Sequence, residues 1–168
     1  MKQTSWVIRL EDAADNTAIE DLQANAFGPG RFARTAFRIR ENVPHRPDLS
    51  FVGLVGSHIA GSIRLSPILI GETEALLLGP LTVSPDFKNR GLGKALMRTA
   101  MNASALAGDK VVLLVGDAPY YSPFGFQQVP LGQITLPGPV DPARLLVALL
   151  NGADMPKGAV QGERQVSV

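Results

Sequence analysis

Residues 78–96 read Leu-Gly-Pro-Leu-Thr-Val-Ser-Pro-Asp-Phe-Lys-Asn-Arg-Gly-Leu-Gly-Lys-Ala-Leu. An apolar strand, interrupted by Gly79-Pro80, leads into a polar loop holding two glycines, and the loop leads straight into a helix. A proline cannot donate to a β-ladder, so Pro80 belongs at a bulge or an edge. Downstream, the loop can turn its backbone N–H groups inward, next to a helix N-terminus that carries partial positive charge. Lys88, Arg90 and Lys94 add to that sign. Such an arrangement suits a phosphate or pyrophosphate. Two common phosphate loops are excluded. A Walker A loop needs Ser or Thr after Gly-Lys and an earlier glycine at 88, where this chain has Ala95 and Lys88. A dinucleotide fingerprint needs a glycine at 96 and should open the chain's first βαβ unit, and position 96 is Leu.

The remaining pattern frames this segment with alternating elements. Trp6, Ile8 and Leu10 alternate, as in a short strand over Ser5–Leu10. Asp12 or Asp15 can cap a helix that runs to Phe27 and breaks at Gly28-Pro29-Gly30. A second helix fits Phe32–Asn42, with Phe32, Ala36 and Ile39 on one face and Arg31, Arg34, Arg38 and Arg40 mostly off it. Leu49–Val55 and Ile59–Leu69 form a hairpin about Gly56-Ser57-His58, and Gly71-Glu72 turns into the strand Ala75–Val83. Leu92–Ala107 is the clearest helix, with Leu92, Leu96, Ala100, Ala103 and Leu106 aligned and Gly108 just beyond. Val111–Val115 reads as a buried strand, followed by strands at Phe126–Val129 and Gln133–Leu136. Residues 145–150 fit strand or helix. Pro137–Pro142 and the tail after about residue 152 carry no strong pattern. The expectation is one mixed α/β domain over residues 1–168.

Composition removes several functional classes. The 168 residues include no cysteine, so a disulfide scaffold, a thiolate nucleophile and Cys-built metal sites are out. Two histidines, His45 and His58, leave little for a metal centre and read as surface residues. A net charge of +1 gives no field that calls for nucleic acid. Met1-Lys2 followed by Gln, Thr and Ser does not read as a signal peptide, and the apolar runs near Leu76 and Leu145 are far short of the ~20 residues a bilayer span needs. A cytoplasmic protein, monomer or homodimer, with no nucleic-acid or membrane partner, is expected.

A second constellation follows Val111–Val115: Gly116-Asp117-Ala118-Pro119-Tyr120-Tyr121-Ser122-Pro123-Phe124-Gly125-Phe126. Together with Lys88-Asn89-Arg90-Gly91-Leu92-Gly93, it resembles the GNAT N-acetyltransferase superfamily over roughly residues 5–130. The family's loop is Gln/Arg-x-x-Gly-x-Gly/Ala, from which this chain departs only in having Lys88 first. Its later segment is Tyr-x-x-Phe/Leu-Gly-Phe, and the chain looks most like a bacterial branch with a Gly-Pro-Leu strand and a Tyr-Tyr pair. The resemblance implies a central, mostly antiparallel mixed sheet flanked by helices and splayed into a V between Ala75–Val83 and Val111–Val115. It implies acetyl-CoA as co-substrate with no metal. Residues Leu81, Thr82 and Val83 would then face pantetheine, with Leu81 and Val83 offering main-chain groups, while Lys88, Asn89, Arg90, Gly91, Leu92, Gly93 and Lys94 hold the pyrophosphate. Tyr121, four residues before Gly125, aligns with the family's general acid.

The implied activity is direct transfer of an acetyl group to a primary amine on a small molecule or peptide. No Ser-His arrangement suggests a covalent intermediate. Glu72, Glu74 and Asp117 are candidate bases; Arg31, Arg34, Arg38 and Arg40 lie where the resemblance puts the border of the acceptor site and read as a solvated helix face, with an anionic acceptor as the alternative. The alternative reading is a non-catalytic acyl-CoA sensor or partner-binding domain that keeps the pocket but releases no thiol.

Overall fold

The computed structural model describes residues 5–28, 35–41 and 43–162. The expected strand at the N-terminus is β1 (Val7–Leu10), and the helix after it is α1 (Asn16–Phe27). Of the second helix, α2 (Thr35–Arg40) is described; Phe32, Arg31, Arg34 and Asn42 lie outside the described residues. A hairpin of β2 (Phe51–Val55) and β3 (His58–Ile70) continues into β4 (Thr73–Val83), then α3 (Leu92–Leu106) and β5 (Val111–Val115). A short α4 (Ala118–Tyr121) precedes β6 (Gln127–Gln128), β7 (Ile134–Thr135), β8 (Leu145–Leu149) and β9 (Gly158–Gly162).

Seven strands run side by side in the order β1-β2-β3-β4-β5-β8-β6. Each neighbouring pair is antiparallel except β4 and β5. That parallel pair is in register only at Leu76↔Val112 and Leu77↔Leu113. Beyond it β4 stays with β3 as far as Gly61↔Val83, while β5 follows β8 through Val115↔Leu145. The sheet therefore splits into the expected V. The split begins at a bulge: between Ile63↔Leu81 and Leu65↔Leu78, the two residues Gly79 and Pro80 oppose the single residue Arg64.

Alternating side chains supply a core on each face of the sheet. Leu76 and Leu78 of β4 with Val112 and Leu114 of β5 meet Leu92, Leu96, Met97 and Ala100 of α3. Leu77 with Val111 and Leu113 meets Ile39 of α2, Val147 of β8 and Val160 of β9. β5 is buried on both sides, as its unbroken Val-Val-Leu-Leu-Val run requires. On α3 the buried stripe is centred on Leu96, Met97, Ala100 and Ser104. Leu106 therefore falls outside it and is 90% exposed, contrary to the expected alignment.

One open reading is resolved and two other expectations change. Residues 145–149 are strand, because β8 pairs with β5 along its whole length. The tail after 152 is not patternless: β9 extends the edge of β3 through Ile68↔Gly162, Leu69↔Gln161 and Ile70↔Val160, and pairs in parallel with β7. Its short sequence, Gly-Ala-Val-Gln-Gly, has one large apolar residue and gives almost no periodicity. The join depends on two facing glycines. Gly71 and Gly158 both have positive φ, and a Cβ on Gly158 would lie 2.7 Å from the Gly71 Cα. His45, expected to be a surface residue, donates from Nε2 to buried Glu11, which also accepts from Arg64 Nε at 2.7 Å. That trio ties the end of β1 to the segment before β2 and to β3.

Two outcomes are expected. Gly158→Ala should cost about 1–3 kcal/mol of unfolding free energy, from backbone strain and the Gly71 clash, read by denaturant unfolding. For Glu11, burial raises the carboxyl pKa, but hydrogen bonds from His45 and Arg64 more than offset this and hold it below the ordinary value. A folded pKa lower than the unfolded one contributes stability above the unfolded value, about 4.3, which is lost as pH falls through the folded value. Glu11→Gln should flatten the acid limb of stability against pH over that window. An unchanged limb would assign the acid sensitivity to other carboxylates.

Candidate active site

The V encloses a cleft of about 1080 Å³. Its floor is the bulged half of β4, where Leu78, Gly79, Pro80, Leu81 and Val83 line it. Among the described residues no strand pairs with β4 past Leu77 on the β5 side, so the main-chain groups there that do not point to β3 face the gap. Thr82 alternates away: it is 3% exposed and its side chain does not line the cleft.

The loop after β4 builds one mouth. Residues Pro85–Phe87 form a 3₁₀ turn, and the chain then takes left-handed conformations at Asn89 (φ 63°) and Gly91 (φ 90°). Asn and Gly are the residues that adopt this region at least cost. Gly91 is the N-cap of α3 and offers no side chain to cap the helix. The first helical bond runs from the Ala95 N–H to the Gly91 carbonyl at 3.0 Å, so the amides of Leu92, Gly93 and Lys94 precede the ladder. Lys88, Asn89, Gly91, Leu92, Gly93 and Lys94 all line the cleft. Arg90 does not; its guanidinium lies 5.8 Å from the centre of the Phe87 ring. The structure thus brings eight of the ten residues expected to face the cofactor onto the cleft and turns the Thr82 and Arg90 side chains elsewhere.

The opposite wall begins at the end of β5. Asp117 opens α4, its carbonyl accepting from the N–H groups of Tyr120 at 3.0 Å and Tyr121 at 3.2 Å. Pro119 suits the first turn of a helix, and Gly125 (φ 93°) closes the following turn in a conformation that favours glycine. Those demands account for the local sequence. Both tyrosines line the cleft but differ in setting. Tyr121 packs edge-on to Phe126, and a side chain at Gly116 would collide with its ring. Burial pushes the Tyr121 phenol up to about 12, with Tyr120 and Asp117 adding to the rise and Arg144 opposing it. Tyr120 reaches across the cleft: a Cβ on Gly93 would lie 2.9 Å from its hydroxyl. Burial raises its pKa as well.

The candidate carboxylates separate. Glu72 and Glu74 stand at the far end of β4, outside the cleft, with Glu74 on another groove beside Arg46 and Lys110. Glu72 and Glu74 are thereby removed as bases, since the V opens toward the other end of the strand. Asp117 does line the cleft, 3.8 Å from Arg144. Of the third side of the cleft, formed by Phe37 and Arg40 of α2 with Pro139, Val140 and Asp141, sequence reasoning points to Arg40 and misses the rest. The Thr35 hydroxyl donates to the Pro139 carbonyl at 2.7 Å and joins those two segments. The signal for this contact, a bond across 104 positions, is not local. Among the described residues no group of three His, Asp or Glu side chains is placed to hold a metal ion.

Comparison with known proteins agrees with this geometry. Residues 47–128 match the model of the acetyltransferase (GNAT) domain, a span from the segment before β2 to the end of β6. The chain is 29% identical over 126 residues to the uncharacterized N-acetyltransferase YjhQ of Escherichia coli, covering 73% of this chain and 70% of that one. A GNAT family acetyltransferase from Brucella melitensis, solved in complex with acetyl-CoA, is 28% identical with a TM-score of 0.71, over 95% of this chain and 97% of that one. The GNAT family N-acetyltransferase YhbS from Escherichia coli, solved with CoA, shares the fold with a TM-score of 0.77 at 21% identity, over 97% and 92% of the two chains. With the splayed sheet and the glycine loop at the head of α3, these similarities support the GNAT superfamily and indicate an acetyl-CoA-dependent acyltransferase.

Proposed function

We propose that the protein transfers an acetyl group from acetyl-CoA directly to a primary amine on a small molecule or peptide. The observation that carries this reading is the convergence on one cleft of three things: the leading amides of α3, the unpaired edge of β4 and a half-buried tyrosine. The groups fit the co-substrate. A side chain at 93 would fill the space beneath Tyr120, and the left-handed pair at 89 and 91 turns the loop so that main chain lies against the cleft. Lys88 and Lys94, with the amides of residues 92–94, would hold the pyrophosphate; the edge of β4 at Leu81 and Val83 would pair with the pantetheine arm.

Acetyl-CoA supplies an acyl group on a thiol leaving group. In the transfer the amine nitrogen bonds to the acyl carbon, the carbon–sulfur bond breaks, the nitrogen loses a proton and the sulfur gains one. Tyr121 donates to the departing sulfur. A phenol held near 12 keeps its proton at any working pH. It is also a weak acid towards a thiolate, so its largest effect is a hydrogen bond to charge as it develops. Asp117 is the carboxylate on the same wall and the candidate partner of the incoming ammonium.

Tyr120 takes a different role from its neighbour. Its hydroxyl lies beside the head of α3, and it positions the co-substrate rather than the leaving group. On an amine that releases CoA, Tyr121→Phe should lower kcat by about 10²-fold with little change in KM for acetyl-CoA. Tyr120→Phe should instead raise that KM and leave kcat nearly intact. Should Tyr121→Phe keep full kcat and Tyr120→Phe keep an unchanged KM for acetyl-CoA, neither hydroxyl has the stated role. Should CoA bind and no amine in a broad panel release it, the acyl-CoA sensor reading stands in place of the enzyme.

Gly93 gives an independent check on binding. Gly93→Ala places a methyl against the Tyr120 hydroxyl and should weaken CoA about 10-fold, roughly 1.4 kcal/mol, while circular dichroism stays native. Calorimetry reads the affinity. Equal affinity in the folded variant would remove the loop from the binding site.

A further inference from the structure

The third side of the cleft carries a cation that the transfer chemistry does not use. Arg40, at the C-terminal end of α2, lines the cleft, and its guanidinium Nη1 lies 3.1 Å from where a Cβ on Gly79 would stand. It therefore sits over the bulge at which β4 leaves β5. Its plane is steadied by the Phe37 ring, 4.6 Å from the guanidinium carbon. Its helix neighbour Arg38 is exposed, as a solvated face requires, so the two arginines are placed differently by the same short helix. The side of the cleft that holds Arg40 is mostly apolar, with Phe27, Ala36, Phe37, Pro139 and Val140, and its polar members are Thr35 and Asp141. Across the cleft stands Asp117, near enough to Tyr121 to perturb it.

A guanidinium against a low-polarity wall, with a carboxylate opposite, matches a ligand that has its own anion and amine a short distance apart. Arg binds planar carboxylates through two parallel hydrogen bonds, which fixes orientation as well as charge. From this we infer that the acceptor is a small primary amine bearing a carboxylate, of the amino-acid class, with its carboxylate on Arg40 and its amine turned towards Asp117 and Tyr121. The apolar wall would take its side chain. This inference rests on the transfer reading above and adds the acceptor class. Arg40 need only exchange or share its present contacts for the acceptor's carboxylate.

The test compares matched pairs, each α-amino acid against its α-amide, by CoA release from the wild-type protein at fixed acetyl-CoA. Acids with apolar side chains should exceed their amides in kcat/KM by about 10- to 100-fold, the range of a charge-assisted hydrogen bond. Arg40→Gln should remove that preference by lowering kcat/KM for the acid, while kcat/KM for the amide and KM for acetyl-CoA stay unchanged. Arg40→Lys, which keeps charge without the fork, should restore part of it. Amides turned over as well as acids by the wild type would overturn the acceptor class and leave the transfer reading standing. An Arg40→Gln loss equal for acid and amide would also overturn it. CoA binding without release on any amine would overturn both readings together.

Discussion

Two residues set against one at the β4 bulge decide what the rest of the molecule can be. At Leu76 and Leu77, β4 is an ordinary central strand with a partner on either side, held by side chains that bury on both faces. At Gly79 and Pro80 it gains a residue relative to β3, and its far half follows β3 away from β5. A sheet whose central strands separate would expose two unpaired edges and a slot between apolar layers. The slot persists because each diverging strand keeps its outer partner, β3 for one and β8 for the other, and because α3 packs on the sheet below it. Everything attributed to the site is hung on the rims of that slot.

The two rims are built by different physical means. One is main chain: the loop between β4 and α3 uses left-handed Asn89 and Gly91 to bring amides to the cleft, with lysines adding charge. The other is side chain: α4 is a single turn whose two successive tyrosines point differently, one into packed apolar surroundings and one across to Gly93. A helix turns about 100° per residue, so adjacent tyrosines cannot share a role by position. Their separation into a half-buried phenol and a hydroxyl beside Gly93 follows from that rotation.

Local chemistry explains what could be read in the sequence. The strand, loop and helix at 78–96 carry Pro80, two glycines and a long apolar stripe, each tied to a backbone demand, and all of them took the expected shape. Val111–Val115 was legible because a strand buried on both sides has no alternation to disguise it. The placement of side chains around the V was less legible. Thr82 and Arg90 lie in the right segment but face elsewhere, since alternation along β4 and stacking on Phe87 decide orientation, and neither can be read from a motif. Glu72 and Glu74 looked close to the cofactor strand in sequence, yet an eleven-residue strand puts its two ends far apart. His45 was hidden because its partner Glu11, itself held by Arg64 of β3, is 34 positions away in the chain.

β9 shows how far the influence of a weakly patterned segment extends. β2 pairs with the first part of β3 only, leaving Ile68–Ile70 without a neighbour from the hairpin on that side. β9 fills the place, and its end lies beneath α2, where a side chain at Gly162 would strike Val43 and approach the Ile39 carbonyl at 2.9 Å. Without it, three residues of β3 would offer open N–H and C=O groups flanked by two isoleucines that are otherwise fully buried. That is a template for edge-to-edge pairing between molecules. A chain cut short after residue 152 would therefore face self-association as well as lost stability, with its sticky edge on the side of the sheet that supports α2.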